Sequence, residues 1–263
     1  MKMIIADLDG TLIHKKEMSD HTKQTIKRLQ REGYLFTLAT GRHKDAVKRM
    51  AEALNITLPI ICTNGAMIYD FQHQTVLHQD TIDPKVAIQV LSILDQHQTH
   101  YLLYTTQSIV STQSAKTLLE SRIGVFESLV VESTQIQSYL ALGLLKILII
   151  EPDDVKFSQL RTLLSAIEGV YVLSLQASFI DVGNIVANKG RALKILCEKL
   201  GIPLESVLSI GDQENDLTMI QLAGIGVAMG DGEATLKQQA KFVTKSFKED
   251  GFTHAIKTFI FKA

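Results

Sequence analysis

The sequence predicts an α/β protein: a parallel-sheet core split by an inserted α+β segment of roughly 100 residues, an ordinary domain size. Two observations predict it. Short apolar runs alternate with helical spacings at both ends of the chain, the pattern of strand-helix crossovers. Those runs end in clusters of Asp, Thr, Asn and Gly, whereas no run in the middle third does. The resulting boundaries are 1–82 with 188–263 for a discontinuous core and 83–187 for the insertion.

Met1 to Ala6 is an apolar run that stops at Asp7, with Asp9, Gly10 and Thr11 close behind, and it reads as a buried strand. A helix starts at Ser19, a favourable N-cap, turns Ile26 and Leu29 inward and stops at Gly33. Tyr34 to Ala39 forms the second strand and ends in Thr40-Gly41-Arg42. The next helix places Val47, Met50, Ala51 and Leu54 on one face, and Pro59 to Cys62 makes a third strand ending in Thr63-Asn64-Gly65. A hairpin of Ile68-Tyr69 and Val76-Leu77 extends this sheet.

The insertion opens with Asp83 and Pro84 as N-cap and N1 of a helix carrying Val86, Val90, Ile93 and Leu94. Strands at Tyr101 to Thr105 and Ser108 to Ser111 follow, then a helix near Ser114 to Leu119, a strand near Leu129 to Val131 and a helix near Thr134 to Leu140. Leu144 to Ile150 is its strongest strand, and Gly143 and Lys146 keep the longer run from Leu140 to Ile150 from being a bilayer span. A helix from Asp153 and strands at Val170 to Leu175 and Ser178 to Val182 close it. The first pattern then resumes. Lys189-Gly190 opens a helix ended by Gly201, Val207 to Ile210 runs into Gly211-Asp212-Gln213-Glu214-Asn215-Asp216, and a helix covers Leu217 to Ala223. Ile225 to Met229 is a further strand, followed by helices over Glu233 to Ala240 and around Ala255, Ile256 and Phe259.

Composition limits the partners. With 27 basic and 28 acidic residues the chain has a formal charge of −1 and no block of one sign, which argues against nucleic acid or an anionic membrane. Cys62 and Cys197 sit in apolar sequence without metal-ligand spacing, as buried free thiols of a reducing compartment do. No leader-like terminus and no run able to span a bilayer is present, so a cytoplasmic monomer or homodimer is expected.

In a parallel sheet the carboxyl ends of the strands share one edge, where open α/β sheets bind ligands. One polar ending is what a solvated turn also produces. Endings at Asp7-Leu8-Asp9, Thr40-Gly41, Thr63-Asn64-Gly65 and Gly211-Asp212, with Lys189 opening a helix between them, are more than turn chemistry. These residue types suit phosphoryl transfer. Carboxylates of Asp7, Asp9 and Asp212 could hold Mg²⁺, and Thr40, Gly41 and Lys189 offer donors to phosphate oxygens. One Asp can serve as nucleophile and another as general acid and base.

Asp7-Leu8-Asp9-Gly10-Thr11 resembles motif I of the haloacid dehalogenase superfamily, and Thr40-Gly41-Arg42 resembles motif II of its Cof-like branch. Lys189-Gly190 and Gly211-Asp212-Gln213-Glu214-Asn215-Asp216 are similar to motifs III and IV, in order along nearly the whole chain. The resemblance implies a Rossmann-like parallel-sheet core with an inserted type IIB cap, and a phosphatase that takes a small phosphorylated metabolite, a sugar phosphate or a phosphorylated cofactor. It further implies Asp7 as nucleophile, Asp9 as general acid and base, and Mg²⁺ on the Asp7 carboxylate, the Asp9 carbonyl and the Asp212 carboxylate. Phosphate would meet the Leu8 amide, Thr40, Gly41, Lys189 and Asn215, with Asp216 orienting Lys189 or a metal-bound water. Asp9 separates the chain from the family's dehalogenases and transport ATPases, which lack that second Asp. A phosphomannomutase-type phosphomutase is the rival enzyme. A non-catalytic phosphate sensor would have lost Asp7, Asp9 or Lys189, and all three are present.

Arg42 is balanced between a substrate contact and a surface charge, while Asn64 is placed beside the substrate. Asp231 is expected in a turn, the His residues on the surface, and Tyr101, Tyr104 and Phe179 in the core of the insertion.

Overall fold

Met3–Ala6 forms β1, and all four residues are buried. A strand buried on both sides needs cover on both, as in parallel sheets flanked by helices. The computed structural model describes residues 1–15, 17–174 and 176–261. Residues 1–78 and 188–263 make one unit and residues 79–187 another.

In the first unit, β1 leads to α1 (Asp20–Arg31), where Ser19 Oγ accepts the Thr22 N–H and Ile26 and Leu29 are buried. Burying two such side chains contributes roughly 1.5–3 kcal/mol each. Then come β2 (Leu35–Leu38), α2 (Lys44–Ala53), β3 (Ile60–Cys62), β4 (Met67–Asp70) and β5 (Thr75–Gln79). Here the expected single sheet needs correction. β3, β4 and β5 form their own three-stranded sheet, antiparallel between β3 and β4. One parallel bridge, Ala39 to Ile61, ties β3 to the end of β2, with Thr40 N–H on Ile61 O at 2.8 Å. The hairpin therefore extends β3, not the core sheet. A three-residue β3 that turns at once into its antiparallel neighbour has no length left for a second ladder.

The second unit contains α3 (Pro84–Gln96), β6 (His100–Thr105), β7 (Ile109–Ser111), α4 (Gln113–Ile123), β8 (Leu129–Val130), β9 (Leu144–Ile150), α5 (Asp154–Ser165), β10 (Val170–Leu173) and β11 (Phe179–Asn184). Leu175, expected to end β10, lies outside the described residues. Its sheet runs β10-β11-β9-β6-β7-β8. Because strand side chains alternate, Leu103, Ile147, Ile149 and Val182 face Val90, Leu94, Leu160 and Leu164, while Leu102, Tyr104 and Ile150 pack with Ala115 and Leu119 of α4. The helix expected near Thr134 to Leu140 is instead a 3₁₀ segment, Ile136–Leu142, closed by Gly143 at φ +79°. Seven residues with only Ile136 buried give an α-helix too little packing to repay its nucleation.

Back in the first unit, α6 (Lys189–Leu200), β12 (Val207–Gly211), α7 (Leu217–Leu222), β13 (Ile225–Ala228), α8 (Ala234–Gln239), β14 (Phe242–Val243) and α9 (Gly251–Phe259) complete the chain. The core sheet has the order β14-β13-β12-β1-β2 and is parallel throughout. β14, only two residues long, was not foreseen. Met3, Ile5, Leu193, Leu196 and Met219 share one cluster with α6, and Phe36 meets Phe252 of α9 edge to face at 6.1 Å. Register decides what happens next: Ala6 pairs with both Ile210 and Leu38, so the residues after β1, β2 and β12 leave from one edge. Among the described residues no helix is long and apolar enough to cross a membrane.

Candidate active site

Asp7 is the first residue past β1, and its N–H still donates to Ile210 O at 2.9 Å. Asp7 is 6% exposed, and its carboxylate accepts from Lys189 Nζ through Oδ1 at 2.6 Å. Lys189 opens α6, which Asn188 caps on the Arg191 N–H. The ammonium is fully buried and also donates to Asp216 Oδ1 at 2.6 Å. A lysine can point inward here because α6 and α7 approach closely. A Cβ on Gly190 would stand 2.6 Å from the Thr218 carbonyl, and the Gly190 N–H bonds Thr218 Oγ1.

Both oxygens of Asp216 are engaged. Oδ1 takes Lys189, and Oδ2 takes the N–H groups of Asp212 and Gln213 at 2.9 and 3.1 Å. Those bonds shape the loop after β12 and set Asp212, whose Oδ1 accepts from Thr11 Oγ1 at 2.9 Å. Gly10, at φ +94°, lies against the Asp212 carboxylate with no space for a Cβ.

One oxygen from each of Asp7, Asp212 and Asp216 lies within 4.8 Å of the others. Burial pushes Asp7 well above the carboxylate range, with Lys189 opposing and Asp216 and Asp212 adding to the rise. Burial and then Asp216 push Asp212 up to about 7, against the Thr11 bond. For Lys189, burial favours the neutral amine, but Asp216 and Asp7 outweigh it and hold the proton more tightly. Three buried acidic side chains crowd one ammonium, and the upward shifts of Asp7 and Asp212 show that their charged forms are disfavoured until a further cation offsets them. A divalent hard cation fits that donor set.

A second group surrounds the end of β2. Thr40 is buried; its Oγ1 accepts the Arg42 N–H at 3.2 Å and its carbonyl accepts the Asn64 N–H. Gly41 is needed because a Cβ would lie 2.7 Å from Asn64 Oδ1. That same oxygen accepts from Asn215 Nδ2 at 3.0 Å, tying the loop after β3 to the loop after β12. Thr63, Asn64 and Gly65 all have positive φ, at 52°, 56° and 96°, and for a β-branched Thr this is strained.

Asp9 stands apart from the acidic cluster. Both its oxygens lie in the fork of Arg42, at 2.8 Å from Nε and 2.6 Å from Nη2. The third carboxylate beside Asp7 and Asp212 is thus Asp216, not Asp9, since the guanidinium holds the Asp9 side chain elsewhere. Thr11 and Thr63 stand in clusters that the sequence marks but without a role of their own, and Thr218 is not marked at all. Thr11 follows a motif glycine and was findable; nothing local marks Thr218.

The other expectations follow the fold. Asp231 accepts the Phe247 N–H in a loop. His43, however, is fully buried, as the N-cap of α2, with Nδ1 accepting the Asp45 N–H. Tyr101 and Tyr104 are buried in the second unit and Phe179 is partly so.

Comparison with known proteins gives the family. The haloacid dehalogenase-like hydrolase family matches residues 4–256. The chain is 31% identical to the phosphatase YwpJ of Bacillus subtilis, covering 98% of this chain and 99% of that one. It is 29% identical to the pyridoxal phosphate phosphatase YbhA of Escherichia coli, covering 99% and 97%. A haloacid dehalogenase-like hydrolase from Bacteroides thetaiotaomicron superposes with a TM-score of 0.87 at 28% identity, over 98% and 99% of the two chains. The subclass IIB sugar phosphatase BT4131, at 21% identity and a TM-score of 0.84 over 98% and 99%, shares the fold. With the acid-and-lysine cluster on the rim of a parallel sheet and a match along nearly its full length, this chain belongs to the haloacid dehalogenase-like hydrolases.

Proposed function

We propose that this hydrolase is a Mg²⁺-dependent phosphatase that cleaves a small phosphorylated metabolite through an aspartyl-phosphate on Asp7. The observation that carries the proposal is the fully buried Lys189, 2.6 Å from both Asp7 and Asp216, beside Asp212 in a cluster of three buried acidic side chains whose ionised forms a divalent cation would favour. The phosphatase names of relatives such as YwpJ and YbhA support the substrate class.

Mg²⁺ would be held by the Asp7 and Asp212 carboxylates and the Asp9 carbonyl, where it supplies positive charge against a phosphate dianion. Lys189 holds one Asp7 oxygen, which leaves the other to attack phosphorus. Donors from Thr40, from the Leu8 and Gly41 amides and from Asn215 meet the phosphate oxygens. As the phosphorus–oxygen bond to the leaving group breaks, Asp9 delivers a proton to that oxygen. Water then attacks the same phosphorus and gives its proton to Asp9, so Asp7 returns as a free carboxylate and inorganic phosphate departs. Asp216 touches no substrate and keeps Lys189 in place. The insertion, residues 83–187, acts as the cap that selects the substrate.

The test is phosphate release from p-nitrophenyl phosphate and a panel of phosphorylated metabolites. Release should require Mg²⁺, stop with EDTA and vanish in Asp7→Asn with the fold intact. Full turnover in Asp7→Asn, or after chelation, would overturn the proposal. Transfer between isomers without phosphate release would mark a mutase instead.

A further inference from the structure

Both oxygens of Asp9 are engaged by one guanidinium, and Arg42 comes from a different loop. Two parallel bonds fix the plane and direction of a carboxylate, which a single contact does not. The two side chains are 50% and 32% exposed, and pairs this wet contribute at most about 1 kcal/mol to stability. Orientation is what such a contact supplies.

The backbones beneath are pinned on both sides. Asp9 bridges to Ile13, and the Gly10 N–H closes that turn on Ile13 O at 2.8 Å. Arg42 donates its N–H to Thr40 Oγ1 and accepts the Thr63 N–H on its carbonyl at 2.9 Å, and α2 starts two residues later. Between two fixed backbones the fork sets the Asp9 rotamer. Without it, a half-exposed Asp would spread over its staggered wells. Each carboxylate oxygen has two lone-pair sites, so a fork that uses one on each leaves the other for a proton in transit.

We propose that Arg42 is a positioning residue for the reaction: it aims the Asp9 carboxyl at the leaving-group oxygen and binds no part of the substrate itself. This rests on Asp9 being the general acid and base. A misaim of about 1 Å in a reacting group costs roughly 10²-fold, and Lys cannot replace a planar fork.

The test uses the leaving group as its probe. Values of kcat/KM report transfer to Asp7, which needs an acid for an alkyl phosphate such as glycerol phosphate and hardly any for p-nitrophenyl phosphate. Arg42→Ala should lower kcat/KM for the alkyl ester by about 10–100-fold and for the aryl ester by less than about 3-fold. Arg42→Lys should fall between, and Arg42→Ala placed on Asp9→Asn should cost nothing further. Thermal unfolding of each variant checks the fold, with Arg42→Gln replacing Arg42→Ala should the latter not fold. Equal losses on both esters, or a further loss in the Asp9→Asn background, would overturn the role of Arg42 while leaving Asp9 in place. An Asp9→Asn enzyme that shows no preference for the aryl ester would remove the acid role of Asp9 and this inference with it.

Discussion

Gly10 and Asp212, 202 residues apart in sequence, are in contact so close that only a hydrogen on the Gly10 α-carbon leaves the carboxylate in place. Any Cβ there would push Asp212 off its bond to Thr11 Oγ1. With Asp212 as the proposed Mg²⁺ ligand, Gly10→Ala should therefore abolish both phosphatase turnover and Mg²⁺ binding measured by calorimetry. It should also cost about 1–2 kcal/mol in strain at positive φ. Gly33 is the control. Its φ is +84° with nothing within 4 Å of a built Cβ, so Gly33→Ala should lose about 1 kcal/mol of stability and no activity.

Lys189 bonds two buried acidic side chains at once, so its removal leaves both without their counter-ion. Lys189→Met should destabilise the metal-free protein by about 3–5 kcal/mol in urea unfolding, as well as abolish turnover. Asp216→Asn in that background should recover part of the loss, because one of the stranded charges is gone. A Lys189→Met protein of native stability would contradict the buried ion triad.

Much of this was legible in sequence because periodicity and capping act locally. Ser19, Asp83 and Asn188 cap the helices that follow them, and buried runs such as Met3–Ala6 have no helical spacing. The clusters after β1, β2 and β12 were legible for the same reason, since a parallel register puts strand ends on one edge. Side-chain direction was not. Asp9 looks like a partner of Asp7 because the two stand two apart, yet its rotamer is set by Arg42, 33 residues away. Nor does sequence reveal that β3 leaves the core sheet, which depends on how soon it turns into β4. Lys146 is a third case. In sequence it is a charge that breaks the apolar run from Leu140 to Ile150, but it is buried with its partner one strand away.

That pair gives a prediction for the second unit. Lys146, 4% exposed on β9, bonds Asp181 Oδ2 on β11 at 2.9 Å and lies 4.5 Å from the Tyr104 ring centroid on β6. Lys146→Ala leaves Asp181 largely buried without its counter-ion and should cost about 3–5 kcal/mol. Lys146→Met with Asp181→Leu removes both charges and should recover most of it. Hydrogen exchange of β6, β9 and β11 amides reads the effect, and unchanged protection in Lys146→Ala would count against it.

Alkaline pH offers the last test. Burial pushes the Cys62 thiol up to about 12 and, with Glu198 adding to burial, the Cys197 thiol up to about 11, against an ordinary value of 9.0. A thiol whose folded pKa lies above its unfolded one contributes stability that is complete below the unfolded value. That stability is lost as pH rises toward the folded value, because the unfolded chain sheds its proton first. Lys189, its proton held tightly by Asp216 and Asp7, acts in the same direction above 10.5. Stability in urea should thus stay level with respect to these groups to pH 9 and decline beyond it, and Cys62→Ala should flatten part of that decline. At pH 8 the thiolate fraction of Cys62 falls about 10³-fold below that of an ordinary thiol. Iodoacetamide should accordingly leave Cys62 unmodified in the folded protein and label it after unfolding. Rapid native-state labelling would mean that β3 opens far more readily than its fully buried position implies.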